Sequence, residues 1–309
     1  MRYKDVGVDL EKQRGVHKAA GELLGGSAGS YVRWINLGSV EAALHTDGVG
    51  TKTLWLLEAG KLEIAGWDCV MVNVNDVVCD GFRAKALTDY ISLAPGLEED
   101  AGEVLRGIAD AAGRLGIEVL GGETAIMPDV VNGLDVSCTV LAVREARPGR
   151  VSPGDYIIGL ESTGPHANGY SLLRKIFKLD ERVCGGRVAD IFLRPVADYT
   201  PVLQMMREGL VKTAAHITGG GFSKLKRALG VYGADIELGE RPCWAEEIVR
   251  RGVPPDELYR VFNVGIGMAL ITDAPDDALR RAEDFGISAR VIGRVKPLAA
   301  ISVDGVLVE

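Results

Sequence analysis

The chain has 309 residues, 47% hydrophobic and 25% charged, with 35 basic residues against 43 acidic ones for a net charge of −8. That length suits two domains of roughly 150 residues each, and the composition is that of a globular chain rather than a disordered one. So acidic a chain has no global basic field for nucleic acid or a membrane surface, so any phosphate it binds is captured locally, by backbone N–H groups, a few Lys or Arg, or a metal ion.

The opening segment, MRYKDVGVDLEKQRG, has no apolar run and reads as no secretory signal. Residues 40–46 predict a short strand ending at Asp47, followed by the glycine turn GVGTK and an apolar helical stretch, TLWLLEAG. Asp68 is placed to cap a helix running to Cys79, with Val70, Val74, Val77 and Val78 at spacings of three and four and Gly81 as its stop. Residues 98–115 predict a helix and 117–120 a short strand that runs into Gly121-Gly122-Glu123-Thr124. Over 134–143 apolar and polar residues alternate, the mark of a strand with one buried face.

The segment ARPGRVSPGD (146–155) has two prolines, two glycines and several charges, and sets the expected boundary between domains 1–148 and 149–309. The second half opens with a strand at 156–161, the turn GPHANG and the helical SLLRKIFKL. A helix near 202–208, a loop at 216–222 and a strand over 264–271 follow. Interspersed strands and helices in both halves indicate mixed α and β layers. The uncharged apolar stretch at 261–272 is too short to span a bilayer as a helix. The five cysteines, Cys69, Cys79, Cys138, Cys184 and Cys243, form no C-x-x-C pair, which leaves a zinc site built on one unsupported, and their odd number and wide spacing suit a reducing cytosol.

The phosphate-loop pattern G-x-x-x-x-G-K-[ST] is absent, and G-x-G-x-x-G fails because Thr53 stands where the third glycine would fall after Gly48 and Gly50. A single glycine loop is weak evidence, since ordinary turns use glycine. Five polar-glycine clusters, each following or interrupting an apolar segment, are stronger: HTDGVGTK, VNVNDVVCDG, GGETAIMP, GPHANGY and HITGGGF. Mg²⁺ favours one or two carboxylates plus phosphate oxygens and water, and Asp47, Asp76 and Glu123 suit that role if the fold unites them.

In this order the clusters, with YKDVGVD (3–9), VNDVVCDG (74–81), TDY (88–90), GLESTGPHANGYSLLRKI (159–176) and YRVFNVGIGM (259–268), closely resemble the aminoimidazole ribonucleotide synthetase (phosphoribosylformylglycinamidine cyclo-ligase) family across nearly the whole chain. The resemblance implies an α+β, two-domain PurM-like fold whose N-terminal α/β domain contributes strands to a dimeric barrel and whose C-terminal domain is also α/β. It implies a cytoplasmic enzyme of purine biosynthesis, a homodimer that uses ATP and Mg²⁺ to close the imidazole ring of formylglycinamidine ribonucleotide. Carried onto this sequence, it places metal at Asp47, Asp76 and Glu123, nucleotide at Asp47, Gly48, Gly50, Thr51, Lys52, Asn75, Gly121, Gly122, Thr124, Asn168, Gly219, Gly220 and Gly221, and catalysis at His166, His216 and Lys52, with Lys52 on phosphate.

Three segments depart from the family pattern: Gly25-Gly26-Ser27-Ala28-Gly29 replaces a glycine-aromatic-glycine run, Arg83 and Lys85 enter FRAKALTDY, and Ala167 stands where a serine is usual. Each site residue also has a plain alternative: a turn aspartate at 47, a solvated lysine at 52, a polar helix residue at 76, a helix cap at Glu123 or Asn168, and satisfied histidines at 166 and 216. His17 and His45 are read as structural, and Met205-Met206 as helix core. The competing functions are a thiamine-monophosphate kinase of the same superfamily and a non-catalytic nucleotide-binding paralogue. Selenophosphate synthetase is disfavoured because residues 1–60 hold no cysteine, and the hydrogenase-maturation relative because the chain ends DGVLVE without one.

Overall fold

The computed structural model describes residues 1–24 and 31–309. The Gly25–Gly29 departure and the side chain of His17 lie outside the described residues. After α1 (Leu10–Leu24) come β1 (Trp34–Leu37), β2 (Val40–Gly48), α2 (Lys52–Glu58), α3 (Glu63–Cys79), β3 (Phe82–Leu93), α4 (Ala101–Leu115), β4 (Glu118–Ile126) and β5 (Leu134–Arg144). The five strands form one sheet in the order β1-β2-β5-β3-β4, antiparallel except where β3 meets β4.

Alternation decides what each face of this sheet does. Val136, Cys138, Val140 and Ala142 of β5 point inward under α3, while Leu141 and its partner Leu44 are exposed on the other side. Helix α4 buries Val104, Ile108, Ala111 and Ala112 against α3. Gly66 and Gly107 let the two helices touch: a Cβ on either would lie 1.9 Å from a backbone oxygen of the other. Helix α3 is therefore enclosed, and from Ala65 onward nearly every residue is buried, including Asp68, Asn73, Asn75 and Asp76. A helix buried all round is expected to be apolar; its polar residues need partners, and finding them locates the site.

The second half runs through β6 (Tyr156–Glu161), α5 (Tyr170–Ile176), the hairpin β7 (Arg182–Val183) and β8 (Gly186–Arg187), α6 (Val188–Phe192), α7 (Pro201–Arg207), β9 (Thr213–His216), α8 (Leu225–Leu229) and β10 (Gly233–Ile236). It ends with α9 (Cys243–Arg250), α10 (Pro255–Val261), β11 (Ile266–Thr272), α11 (Pro275–Asp284), β12 (Ala289–Lys296), β13 (Ile301–Val303) and β14 (Val306–Leu307). Its seven-stranded sheet has the order β14-β13-β10-β12-β6-β11-β9, with β11 buried at every position. The architecture is α+β, two mixed sheets with their helices. Among the described residues no helix is long and apolar enough to cross a membrane.

Three sequence expectations change. Helix α3 begins at Glu63, so Asp68 lies inside it rather than capping it. Strand β4 continues through Gly121, Gly122, Glu123 and Thr124, which are strand residues and not a loop or a helix cap. Four cysteines are paired: Cys69–Cys138 joins α3 to β5, and Cys184–Cys243 joins the β7–β8 hairpin to α9, with Cα–Cα distances of 5.7 and 5.8 Å; Cys79 is buried and free. The partners are 69 and 59 residues apart in the chain, and only packing brings them together.

Candidate active site

The buried polar residues of α3 find their partners in the second half of the chain. Asn75 Nδ2 donates to the Ala197 carbonyl at 2.8 Å and its Oδ1 accepts from Tyr199 N–H at 3.0 Å, while Trp67 Nε1 donates to the Val196 carbonyl at 2.8 Å. Asp68 Oδ1 accepts from Val196 N–H at 2.7 Å and its Oδ2 from Lys52 Nζ at 2.6 Å. Lys52 also donates to the Arg194 carbonyl at 2.6 Å and stands 5.5 Å from the centre of the Tyr170 ring. Both charged side chains are fully buried. Burial pushes Lys52 below and Asp68 above their ordinary pKa values, against the mutual attraction of the pair.

One turn before the end of α3, Asp76 meets two imidazoles. His216 Nδ1, at the end of β9, donates to Asp76 Oδ1 at 2.7 Å, and His45 Nε2, on β2, lies 3.4 Å from Oδ2. His45 Nδ1 donates to Asn73 Oδ1 at 2.7 Å, and Asn73 Nδ2 in turn donates to the Asp47 carbonyl at 3.1 Å. Burial alone would raise the Asp76 pKa; the hydrogen bonds from His216 and His45, and then their charges, hold it far below the usual carboxylate range. Burial would likewise lower His45, but the Asp76 hydrogen bond and charge leave it raised. Asp47 remains exposed at the end of β2. The packed walls around its carboxylate and then the charge of Asp76 push its pKa up.

Three more clusters converge here. His166, with φ of 59°, is buried in the GPHANG turn, and its ring centre is 6.1 Å from Tyr199 and 6.3 Å from His216. Both its nitrogens and His216 Nε2 are buried with no hydrogen-bond partner among the described residues. Burial, then the charges of His216 and Lys52, push His166 well below its ordinary value, so it is neutral at neutral pH. Gly267 makes room for this group: a Cβ there would lie 1.9 Å from Tyr199 Oη and 2.6 Å from His166 Cε1. Asn168 Oδ1 lies 3.0 Å from where a Cβ on Gly219 would sit, so the turn and the triple-glycine loop abut. Thr51 Oγ1 and Ser171 Oγ are 3.0 Å apart, which ties the GVGTK turn to the same place. Gly48, Gly50, Gly220 and Gly221 come with these loops; Gly50, Gly220 and Gly221 have positive φ.

Several expected contributions lie elsewhere; Asn75, expected on the nucleotide, has both its side-chain polar groups committed to Ala197 and Tyr199. Lys52 is sealed inside the junction and committed to Asp68, so it is not presented to a phosphate in this structure. Glu123 sits beside Tyr90, which sits beside Ser137, whereas Asp47 sits beside Cys138. Neighbouring strand residues face opposite ways, so Glu123 is on the exposed side of the sheet, three strands and about 14 Å from Asp47 at the usual strand spacing. Gly121, Gly122 and Thr124 share that edge strand. Among the described residues no three His, Cys, Asp or Glu side chains form a cluster able to hold a metal. The donors still fit one Mg²⁺: a reachable carboxylate on Asp47 beside the Asp76 charge, the remaining positions being left to phosphate and water. Sequence reasoning missed Asp68, which was read as a cap. It also missed His45, whose position just before Asp47 in HTDGVGTK was the available signal.

Residues 31–143 match the model of the AIR synthase related protein N-terminal domain, and residues 152–304 that of its C-terminal domain. The phosphoribosylformylglycinamidine cyclo-ligase of Saccharolobus solfataricus is 42% identical over 305 residues, covering 95% of this chain and 93% of the relative. The chain belongs to this cyclo-ligase family. The Methanocaldococcus jannaschii cyclo-ligase is 39% identical over 320 residues, with 95% and 91% covered. A solved structure, AaThiL complexed with AMPPCP and TMP, superposes with a TM-score of 0.72 over 99% of this chain and 96% of that one, at 19% identity. That likeness establishes the PurM-like two-domain fold; the choice between a kinase and a cyclo-ligase comes from the sequence relatives.

Proposed function

We propose that this member of the cyclo-ligase family carries out ATP-dependent closure of formylglycinamidine ribonucleotide to aminoimidazole ribonucleotide, releasing ADP and phosphate, in purine biosynthesis. The observation that carries it is near-full-length identity to named cyclo-ligases. The chemistry explains why ATP is needed. An amide oxygen leaves poorly; once it has accepted the terminal phosphoryl group, the amidine nitrogen attacks the same carbon, the C–O bond breaks, and phosphate departs with the electron pair. The protein supplies positioning and charge.

In this reading the nucleotide lies over the GVGTK and triple-glycine turns, contacted by Gly48, Gly50, Thr51, Asn168, Gly219, Gly220 and Gly221. Mg²⁺, held by Asp47 with Asp76 behind it, neutralises phosphate charge when bound. His216, through Nε2 when Nδ1 carries the proton given to Asp76, and His166, through whichever ring nitrogen is unprotonated, are placed to accept the proton lost from the amidine. Residues 1–148 form the nucleotide-binding and dimerising domain, and 149–309 the second domain. The exposed apolar face around Leu44 and Leu141 supports a homodimer through the first sheet. The enzyme acts in the cytoplasm.

The test is ADP release by the purified protein with Mg²⁺ and either formylglycinamidine ribonucleotide or thiamine monophosphate. Release with the ribonucleotide alone is expected; release only with thiamine monophosphate would reverse the assignment.

A further inference from the structure

With Lys52 locked in the junction, the phosphates lack the lysine that the sequence pattern offered. The structure provides another. Lys224 ends the 3-10 turn Gly221–Lys224 that follows the triple-glycine loop. Five lysines are not fully exposed: 52, 61, 212, 224 and 226. Lys52 pairs with Asp68, Lys61 with Asp190, Lys212 with Asp155 and Asp273, and Lys226 donates to the Ala299 carbonyl. Lys224 alone among these five makes no hydrogen bond or ion pair with the described residues.

Its position follows from the loop. Gly220 has φ of 99°, and Ser223 Oγ donates to the Gly220 carbonyl at 2.7 Å, so the chain folds back on itself. The Lys224 stem then crosses the glycine loop, its Cε 3.7 Å from where a Cβ on Gly220 would lie. From there the ammonium is near enough for the charges of Asp76 and Asp47 to favour its charged form, against burial and the charge of Arg227, and the Lys224 charge in turn lowers Asp47 slightly. Arg227, three residues on, is stacked 4.8 Å from the centre of the Tyr31 ring, and its charge acts on Lys224 as a second cation. A half-buried ammonium with no protein partner keeps an unmet desolvation cost. An anion between the cations and the Asp47 carboxylate, itself neutralised by a divalent ion, removes that cost.

We propose that Lys224, rather than Lys52, is the lysine that contacts the terminal phosphate of the nucleotide. This rests on the ATP-using reading above and adds the residue that holds the group being transferred. An ammonium at that phosphate meets charge that spreads over the transferring oxygens, and it distinguishes ATP from ADP.

Calorimetric titration of the full chain with Mg²⁺-ATP and with Mg²⁺-ADP, without the second substrate, tests it. Lys224→Met weakens ATP binding about ten- to hundred-fold, the worth of a charged hydrogen bond, and ADP binding far less; Lys224→Arg recovers most of the ATP affinity. The melting temperature of Lys224→Met without nucleotide stays at the wild-type value. Unchanged ATP affinity, an equal loss for ATP and ADP, or a large drop in that melting temperature would each overturn the proposal. Because these titrations need no ribonucleotide, failure of wild-type turnover would remove the cyclo-ligase assignment and leave the Lys224 result to be read separately.

Discussion

Replacing Lys52 by Met separates a structural lysine from a phosphate-binding one. In the wild type, Lys52 and Asp68 are both fully buried and 2.6 Å apart. The substitution leaves the Asp68 carboxylate facing the Val196 N–H as its remaining hydrogen-bond donor. Removing one partner of a buried pair costs about 3–5 kcal/mol. At about 2–4 °C per kcal/mol for a chain of this size, Lys52→Met melts about 6–20 °C below wild type. Adding Asp68→Leu removes the stranded charge and recovers about 2 kcal/mol, roughly half of the loss. What remains is about 1–3 kcal/mol for the Val196 N–H left without its acceptor. The assay is thermal unfolding followed by circular dichroism, alongside ATP titration at a temperature where every variant is folded. If Lys52→Met melts with wild-type protein but has lost its ATP affinity, the latch reasoning is wrong and Lys52 is the phosphate ligand after all.

The Asp76 cluster sets a pH window. The Asp76 pKa is depressed by folding, so its contribution is full above the unfolded value of about 3.9 and is lost as pH falls through the carboxylate range. His45 is raised, so its contribution is present below about 6.5 and disappears as pH climbs through its folded value. Asp76→Asn flattens both limbs of the melting temperature–pH curve; an unaltered acid limb would show that the hydrogen bonds to Asp76 do not stabilise the fold. Thiol titration of unfolded, unreduced protein counts one free cysteine, Cys79, of the five, and five without reductant would remove both disulfides. Each closes a loop long enough to stabilise by about 4 kcal/mol in the chain-entropy treatment. Mild native reduction opens the exposed Cys184–Cys243 pair before the buried Cys69–Cys138 pair, and the reverse order, read by peptide mapping, would contradict the burial argument. If the proposed dimer forms through the first sheet, wild-type protein runs as a dimer in light scattering after size exclusion and the paired substitutions Leu44→Glu and Leu141→Glu as a monomer; a monomeric wild type would remove the dimer, and an unchanged mass would place the contact on another surface.

Much of the site was legible locally. Strand alternation, glycine turns and the helix before Gly81 are short-range patterns, so β2 with Asp47 at its end, α3, β5, β6 and the loops bearing His166, Asn168 and the triple glycine are legible with their neighbours. The order of those clusters also sufficed to identify the family. What the sequence does not contain is direction. Whether Glu123 shares a face with Asp47 depends on the register of three strand pairings, each built from residues tens of positions apart. Lys52 follows its glycine turn as a phosphate lysine would, yet the packing of α3 against residues 194–199 buries it with Asp68. The cysteine pairs and the meeting of Asp76 with His216, 140 residues away, have the same origin. Local chemistry determines which groups are available; the long-range packing of two sheets around one helix decides which of them are spent on holding the halves together and which are left for a ligand.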